Sequence, residues 1–192
     1  MAAVYLARHG SHAVMDRVLV GRSDSVGLSQ IGFEEARVLA AQLADAEIAR
    51  VQSSPRRRCR ETAMIVATAL AVPFSVEPAL DEVDFGRWTG KSFVELESDE
   101  RWRRWNRERA GIRAPGGETA DEAQARILNH VLEAAGSARR GIVMITHAEL
   151  IRSVLLWRAG SGLDAWQSVA VACGSVVRVD GPVSGSYERV AS

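Results

Sequence analysis

The chain of 192 residues carries 24 Lys plus Arg against 24 Asp plus Glu, with 47% apolar and 25% charged residues. This is the balance of one domain able to bury a sizeable core, and its zero formal charge argues against nucleic acid or an acidic membrane as the main partner. Its two cysteines, Cys59 and Cys173, stand in no metal-binding spacing, no signal-peptide pattern opens the chain, and no apolar run reaches membrane-spanning length, so the chain reads as cytoplasmic.

In chain order, residues 3–7 (AVYLA) predict a short buried strand that ends on Arg8-His9-Gly10. Residues 11–28 are turn-rich. Ser29 reads as an N-cap, and Ala36, Leu39, Ala40 and Leu43 then give an amphipathic helix over roughly 30–45. Residues 48–52 form a weak second strand. Ser54-Pro55 reads as a helix start, with Ser as N-cap and Pro at the first helical position, for a helix running to about Ala71. FSVEPAL at 74–80 is a strand and loop. Residues 91–114, with Trp102 and Trp105 among six arginines, read as a helical insertion or lid. Thr119-Ala-Asp-Glu122 is a capping box opening a helix that Gly136 closes.

GIVMIT at 141–146 is the clearest buried strand and delivers His147; a helix follows to about Gly160. VAVA at 169–172 and SVVRV at 175–179 read as closing strands. Alternating strands and helices imply an α/β fold: three layers, a mostly parallel central sheet, helices on both faces and the 91–114 insertion, all in one domain over 1–192.

Open α/β sheets bind ligands outside the carboxyl ends of their strands. Two strands here end in histidine, His9 and His147. A third leads to a helix whose first turn carries Arg56, Arg57 and Arg58. Helix N-termini attract anions, and arginine sharpens that preference for phosphate. The pattern points to a phosphoryl pocket. His9 and His12, with Asp16, also have metal-ligand spacing, but a strand-end turn does not hold an i,i+3 pair on one face, and no metal is expected.

Arg8-His9-Gly10 resembles the signature of the histidine phosphatase superfamily, phosphoglycerate-mutase-like branch. Gly21-Arg22-Ser-Asp24, SSPRRRCRETA at 53–63, LDEVDFGRWTG at 80–90, PGGET at 115–119 and Ile145-Thr146-His147 follow in the family's order. The resemblance implies a metal-independent phosphomonoester phosphatase without a cofactor. His9 would be the nucleophile and Glu82 the general acid. Arg8, Arg58 and His147 would hold the phosphoryl group. Gly10, Ser11, Gly21, Arg22, Ala148 and Glu149 would be further substrate contacts. The expected partner is a small phosphate ester or a phosphoprotein. Monomer and homodimer are both open.

The chain departs from the family pattern at Ser11, Met15 and Ala148-Glu149, which stand where Glu or Thr, Asn, and Gly-Gly are usual. These departures motivate a non-catalytic phospholigand-binding module as one alternative; a phosphoglycerate mutase is the other. Glu149 beside a phosphate pocket suggests either selection of a cationic substrate group or an ordinary solvent-facing carboxylate near a helix N-terminus.

Overall fold

The computed structural model describes residues 3–179. Five strands form one sheet in the order β3-β2-β4-β1-β5. They are β1 (Val4–Arg8), β2 (Ile48–Ser53), β3 (Phe74–Val76), β4 (Gly141–Thr146) and β5 (Val176–Val179). β1 to β4 run parallel, and β5 closes the edge antiparallel to β1. This is the expected mostly parallel α/β sheet.

Side-chain alternation along β1 and β4 splits the core into two layers. Ala7, Val143 and Ile145 face α1 (Gln30–Gln42) and α2 (Arg57–Leu70). Val4, Leu6, Ile142 and Met144 face α5 (Ala120–Ser137) and α6 (Ala148–Arg158). β4 is buried at every position, which is why it reads as an uninterrupted apolar run. Ser29 caps α1 by accepting the Gly32 N–H, and Thr119 and Glu122 form the expected capping box on α5.

The 91–114 segment carries α3 (Phe93–Glu97) and α4 (Glu100–Arg107). A second capping box, Ser92 with Glu95, opens α3. Trp102 and Trp105 belong to the core around α5, where they stack with ring centroids 5.7 Å apart and meet Phe85 and Trp88 edge-on. Their arginine neighbours 101, 103, 104 and 107 are partly or fully exposed. The segment is therefore anchored by its aromatic face.

Three boundaries differ from expectation. α2 begins at Arg57 with Arg56 as N-cap, although the Ser54 Oγ accepts the Arg56 N–H at 3.3 Å while it also serves His147 and Asp81. Residues 169–172 are not a strand; the Val169 and Val171 carbonyls accept from Arg152 and Arg8. α5 continues through Gly136 to Ser137. No helix among the described residues is long and apolar enough to cross a membrane.

Candidate active site

β1 and β4 are neighbours in register, with Arg8 paired to Thr146. The next residue of each strand is a histidine, so both imidazoles emerge at one point of the sheet rim. Their ring centroids lie 5.3 Å apart. Both are buried, His9 at 3% and His147 at 0% exposure. β2 ends one strand further along, and the first turn of α2 brings Arg58 between them.

Arg58 is 2% exposed. It donates from Nε to His9 Nε2 at 3.2 Å and from Nη2 to His147 Nδ1 at 3.0 Å and the Gly21 carbonyl at 2.9 Å. The surrounding arginines turn away. Arg57 pairs with Glu61, Arg60 with Asp24, and Arg56 with Asp81. Of this arginine run, Arg58 is the member that lines the cleft.

The hydrogen bonds assign the tautomers. His9 Nδ1 lies 2.8 Å from the Gly10 carbonyl, which can only accept, so Nδ1 carries the proton and Nε2 holds a lone pair toward the cleft. Arg58 can only donate, so His147 Nδ1 accepts and its Nε2 carries the proton, donated to Ser54 Oγ at 2.8 Å. Ser54 passes a hydrogen to Asp81 Oδ1 at 3.3 Å, and Arg56 (2.9 Å) and Arg22 (3.5 Å) keep Asp81 paired. Burial, then the Arg58 charge, holds both His9 and His147 well below the usual histidine pKa, so both are neutral near pH 7.

Glu82 sits across from them on the loop after β3. Its Oε2 lies 3.5 Å from His147 Nδ1, and Oε1 accepts the Val83 N–H at 3.0 Å. Its side chain is 12% exposed. Burial raises its pKa to about 7 against the opposing pull of Arg58. Neighbouring Glu149 and Asp81 add to the rise.

These groups open into a cleft of about 370 Å³ lined by Arg8, His9, Gly21, Arg58, Glu82, Ala148 and Glu149 among others. Arg8 is anchored to the Val171 carbonyl at 2.7 Å and to Met15 Sδ at 3.5 Å. Thus His9, Glu82, His147, Arg8 and Arg58 converge as expected; His147 sits behind the lining.

Three expected substrate contacts do not reach the cleft. The Ser11 hydroxyl and N–H both bind the Glu35 carboxylate on α1. Gly10 donates to Thr62, and a Cβ there would stand 2.4 Å from the Gly32 carbonyl oxygen. Its smallness serves the contact between β1 and α1. Arg22 braces the acid loop through the Glu82 carbonyl (2.8 Å) and Glu118 (2.9 Å).

Glu149 lines the cleft without offering a free carboxylate. One oxygen is held by Arg109 and the other by Arg152 at 2.8 Å. Arg109 is itself sandwiched between indoles, 4.2 Å from the Trp105 centroid and 3.7 Å from Trp166. The cationic-substrate idea therefore lacks its free anion, and the solvent-facing alternative is also wrong, since the side chain is 18% exposed. Sequence reading missed Trp166 altogether and saw His12 only as a metal ligand; His12 lines the cleft and stacks on His9 with centroids 5.8 Å apart. Among the described residues, no three His, Cys, Asp or Glu side chains gather to hold a metal.

The histidine phosphatase superfamily (branch 1) family model matches residues 4–186. A protein of Hydrogenobacter thermophilus, provisionally named phosphoserine phosphatase 2, is 26% identical over 168 residues, covering 85% of this chain and 82% of its own. A bifunctional protein of Mycobacterium tuberculosis is 32% identical over 166 residues, 82% of this chain, which spans only 45% of that longer protein. The solved mycobacterial glucosyl-3-phosphoglycerate phosphatase superposes with a TM-score of 0.81 at 20% identity, covering 92% of this chain and 89% of its own. With its ordered motifs and this fold, the chain belongs to branch 1 of the histidine phosphatase superfamily.

Proposed function

We propose that the protein is a phosphomonoester phosphatase that works through a phosphohistidine at His9 and takes a small-molecule phosphate ester. The observation that carries this reading is the His9 tautomer: a neutral, buried imidazole with Nδ1–H tied to the Gly10 carbonyl and Nε2 facing the cleft.

Nε2 attacks phosphorus, and the bond to the leaving oxygen breaks. The phosphoryl oxygens take over the Arg58 Nε–H that otherwise rests on Nε2, and Arg8 supplies a second guanidinium. Each such fixed donor contributes about 3–4 kcal/mol to the transition state. Glu82, protonated at a pKa of about 7, gives its proton to the leaving oxygen from Oε2. In the second step the Glu82 carboxylate takes a proton from water, the hydroxide attacks phosphorus, and the His9–phosphorus bond breaks to release phosphate. The arginines carry the charge stabilisation, so the reading is of a metal-independent reaction.

The test is hydrolysis of para-nitrophenyl phosphate by wild type and His9→Ala, with and without chelator, with phosphoglycerate exchange measured alongside. Chelator-resistant turnover lost in His9→Ala supports the phosphatase. Exchange without net hydrolysis supports the mutase. Phosphate binding without either supports the binding module.

A further inference from the structure

We infer that Glu149 is a specificity-determining residue: by occupying the Arg109–Arg152 pair it takes the place a second anionic group of a substrate would take, so the protein takes phosphomonoesters with uncharged, aromatic or apolar leaving groups and discriminates against carboxylate-bearing ones. This rests on the phosphatase reading above.

The charges divide by position. At the phosphoryl end, Arg8 and Arg58 answer the phosphate dianion, and Glu82 enters the reaction protonated. Further along, the lining includes Arg109, Arg152 and Glu149, and Glu149 is the resident anion of that arginine pair, standing where a second anionic group would seek its partners. Two nitrogens of each guanidinium already donate to protein acceptors. Arg109 spends Nη1 on Glu149 and Nη2 on the Asn106 Oδ1 at 3.2 Å; Arg152 spends Nη1 on Glu149 and Nε on the Val169 carbonyl at 2.9 Å.

Access points the same way. The Trp105 and Trp166 rings cover both faces of the Arg109 guanidinium. A substrate carboxylate would have to displace Glu149 or lie against it, and like charges in such a confined site repel strongly. The rest of this wall is aromatic, from Phe85, Phe93 and Trp102. It offers apolar area and ring faces to a neutral leaving group.

Two matched, non-hydrolysable probes separate charge from shape: 4-carboxybenzylphosphonate and 4-carbamoylbenzylphosphonate. Their dissociation constants are measured by calorimetry with wild type, Glu149→Gln and Arg152→Gln. Wild type should bind the carbamoyl probe about tenfold or more tightly than the carboxy probe. Glu149→Gln should shrink or reverse that ratio, and Arg152→Gln should widen it. The opposite sign of the second variant keeps the test decisive if the first misfolds. An unchanged ratio in the variants, or tighter carboxy binding by wild type, overturns the inference. Para-nitrophenyl phosphate turnover is followed separately. Its absence with the charge preference intact would remove the phosphatase reading while leaving the role of Glu149 in place.

Discussion

Arg58 donates to His147 Nδ1 across 3.0 Å, and that contact decides which nitrogen of His147 bears a proton. The proton is forced to Nε2, where Ser54 receives it and hands the polarity on to Asp81. His147 thus holds Arg58 from behind the residues that line the cleft. Ser54→Ala removes the acceptor that holds this tautomer. One lost hydrogen bond of about 1–1.5 kcal/mol corresponds to roughly a tenfold fall in kcat. Steady-state kinetics of Ser54→Ala and Ser54→Thr check it, and the threonine variant, which keeps a hydroxyl, should retain more activity.

Glu82 sets the alkaline limit. Its folded pKa is raised to about 7 from 4.5 by burial, so the carboxyl is protonated below that value and can act as acid. As pH rises through about 7 the acid form is lost and kcat/KM falls. His9, held well below 6.5, stays neutral throughout this range and does not limit the neutral side. Glu82→Gln should lose most activity and abolish the alkaline limb; a pH–rate profile of both proteins shows it. Glu149→Gln removes a neighbouring negative charge and should move the limb to lower pH.

Gly10 and Gly32 let the end of β1 touch α1. A Cβ on Gly32 would stand 2.1 Å from the Ser11 carbonyl oxygen, and one on Gly10 2.4 Å from the Gly32 carbonyl oxygen. Both obstacles are backbone and cannot swing aside. Gly32→Ala should cost about 1–3 kcal/mol of stability by overpacking, and it should also reduce activity, because the push falls on the residues next to His9. Urea unfolding and a steady-state assay measure the two effects together.

Trp105 is fully buried against Phe85, Trp88 and Trp102 and also supports Arg109. Trp105→Ala should destabilise the protein by about 3–5 kcal/mol and loosen the 91–114 segment. Thermal unfolding reports the first effect, and a raised KM for aryl phosphates reports the second.

Much of this was legible in the sequence where chain direction and chemistry coincide. β4 is buried on both faces, so GIVMIT reads as a strand, and the residue that follows it must surface at the rim. The same logic places His9. Arg58 could be told from Arg56, Arg57 and Arg60 by family register alone; the structure puts Arg58 in the cleft, while Arg57 and Arg60 pair with Glu61 and Asp24 and Arg56 with the buried Asp81. Gly10, Ser11 and Arg22 lie beside cleft-lining residues in sequence, yet their groups point to α1 or to the acid loop. Adjacency does not give side-chain direction at a strand end. The Arg109–Glu149–Arg152 cluster with Trp166 was invisible because Arg109, in the 91–114 segment, stands 40 positions from Glu149 on α6 and further still from Trp166 in the segment after α6. Ser54 accepts the Arg56 N–H, as a Ser-Pro helix start suggests, but its second partner, His147, lies 93 positions away and leaves no local signal.

The central claim is that His9 Nε2 becomes covalently phosphorylated. The most direct measurement is rapid mixing with para-nitrophenyl phosphate, quenching in base to preserve phosphohistidine, and mass spectrometry of the peptide containing residues 1–17. The account predicts one phosphoryl group on His9, phosphorylated at Nε2 by phosphorus NMR, accumulating in a Glu82→Gln protein, because para-nitrophenolate leaves with little help from an acid while the second step has lost its base. Turnover without any phosphorylated His9, or phosphate carried on another residue, would contradict it.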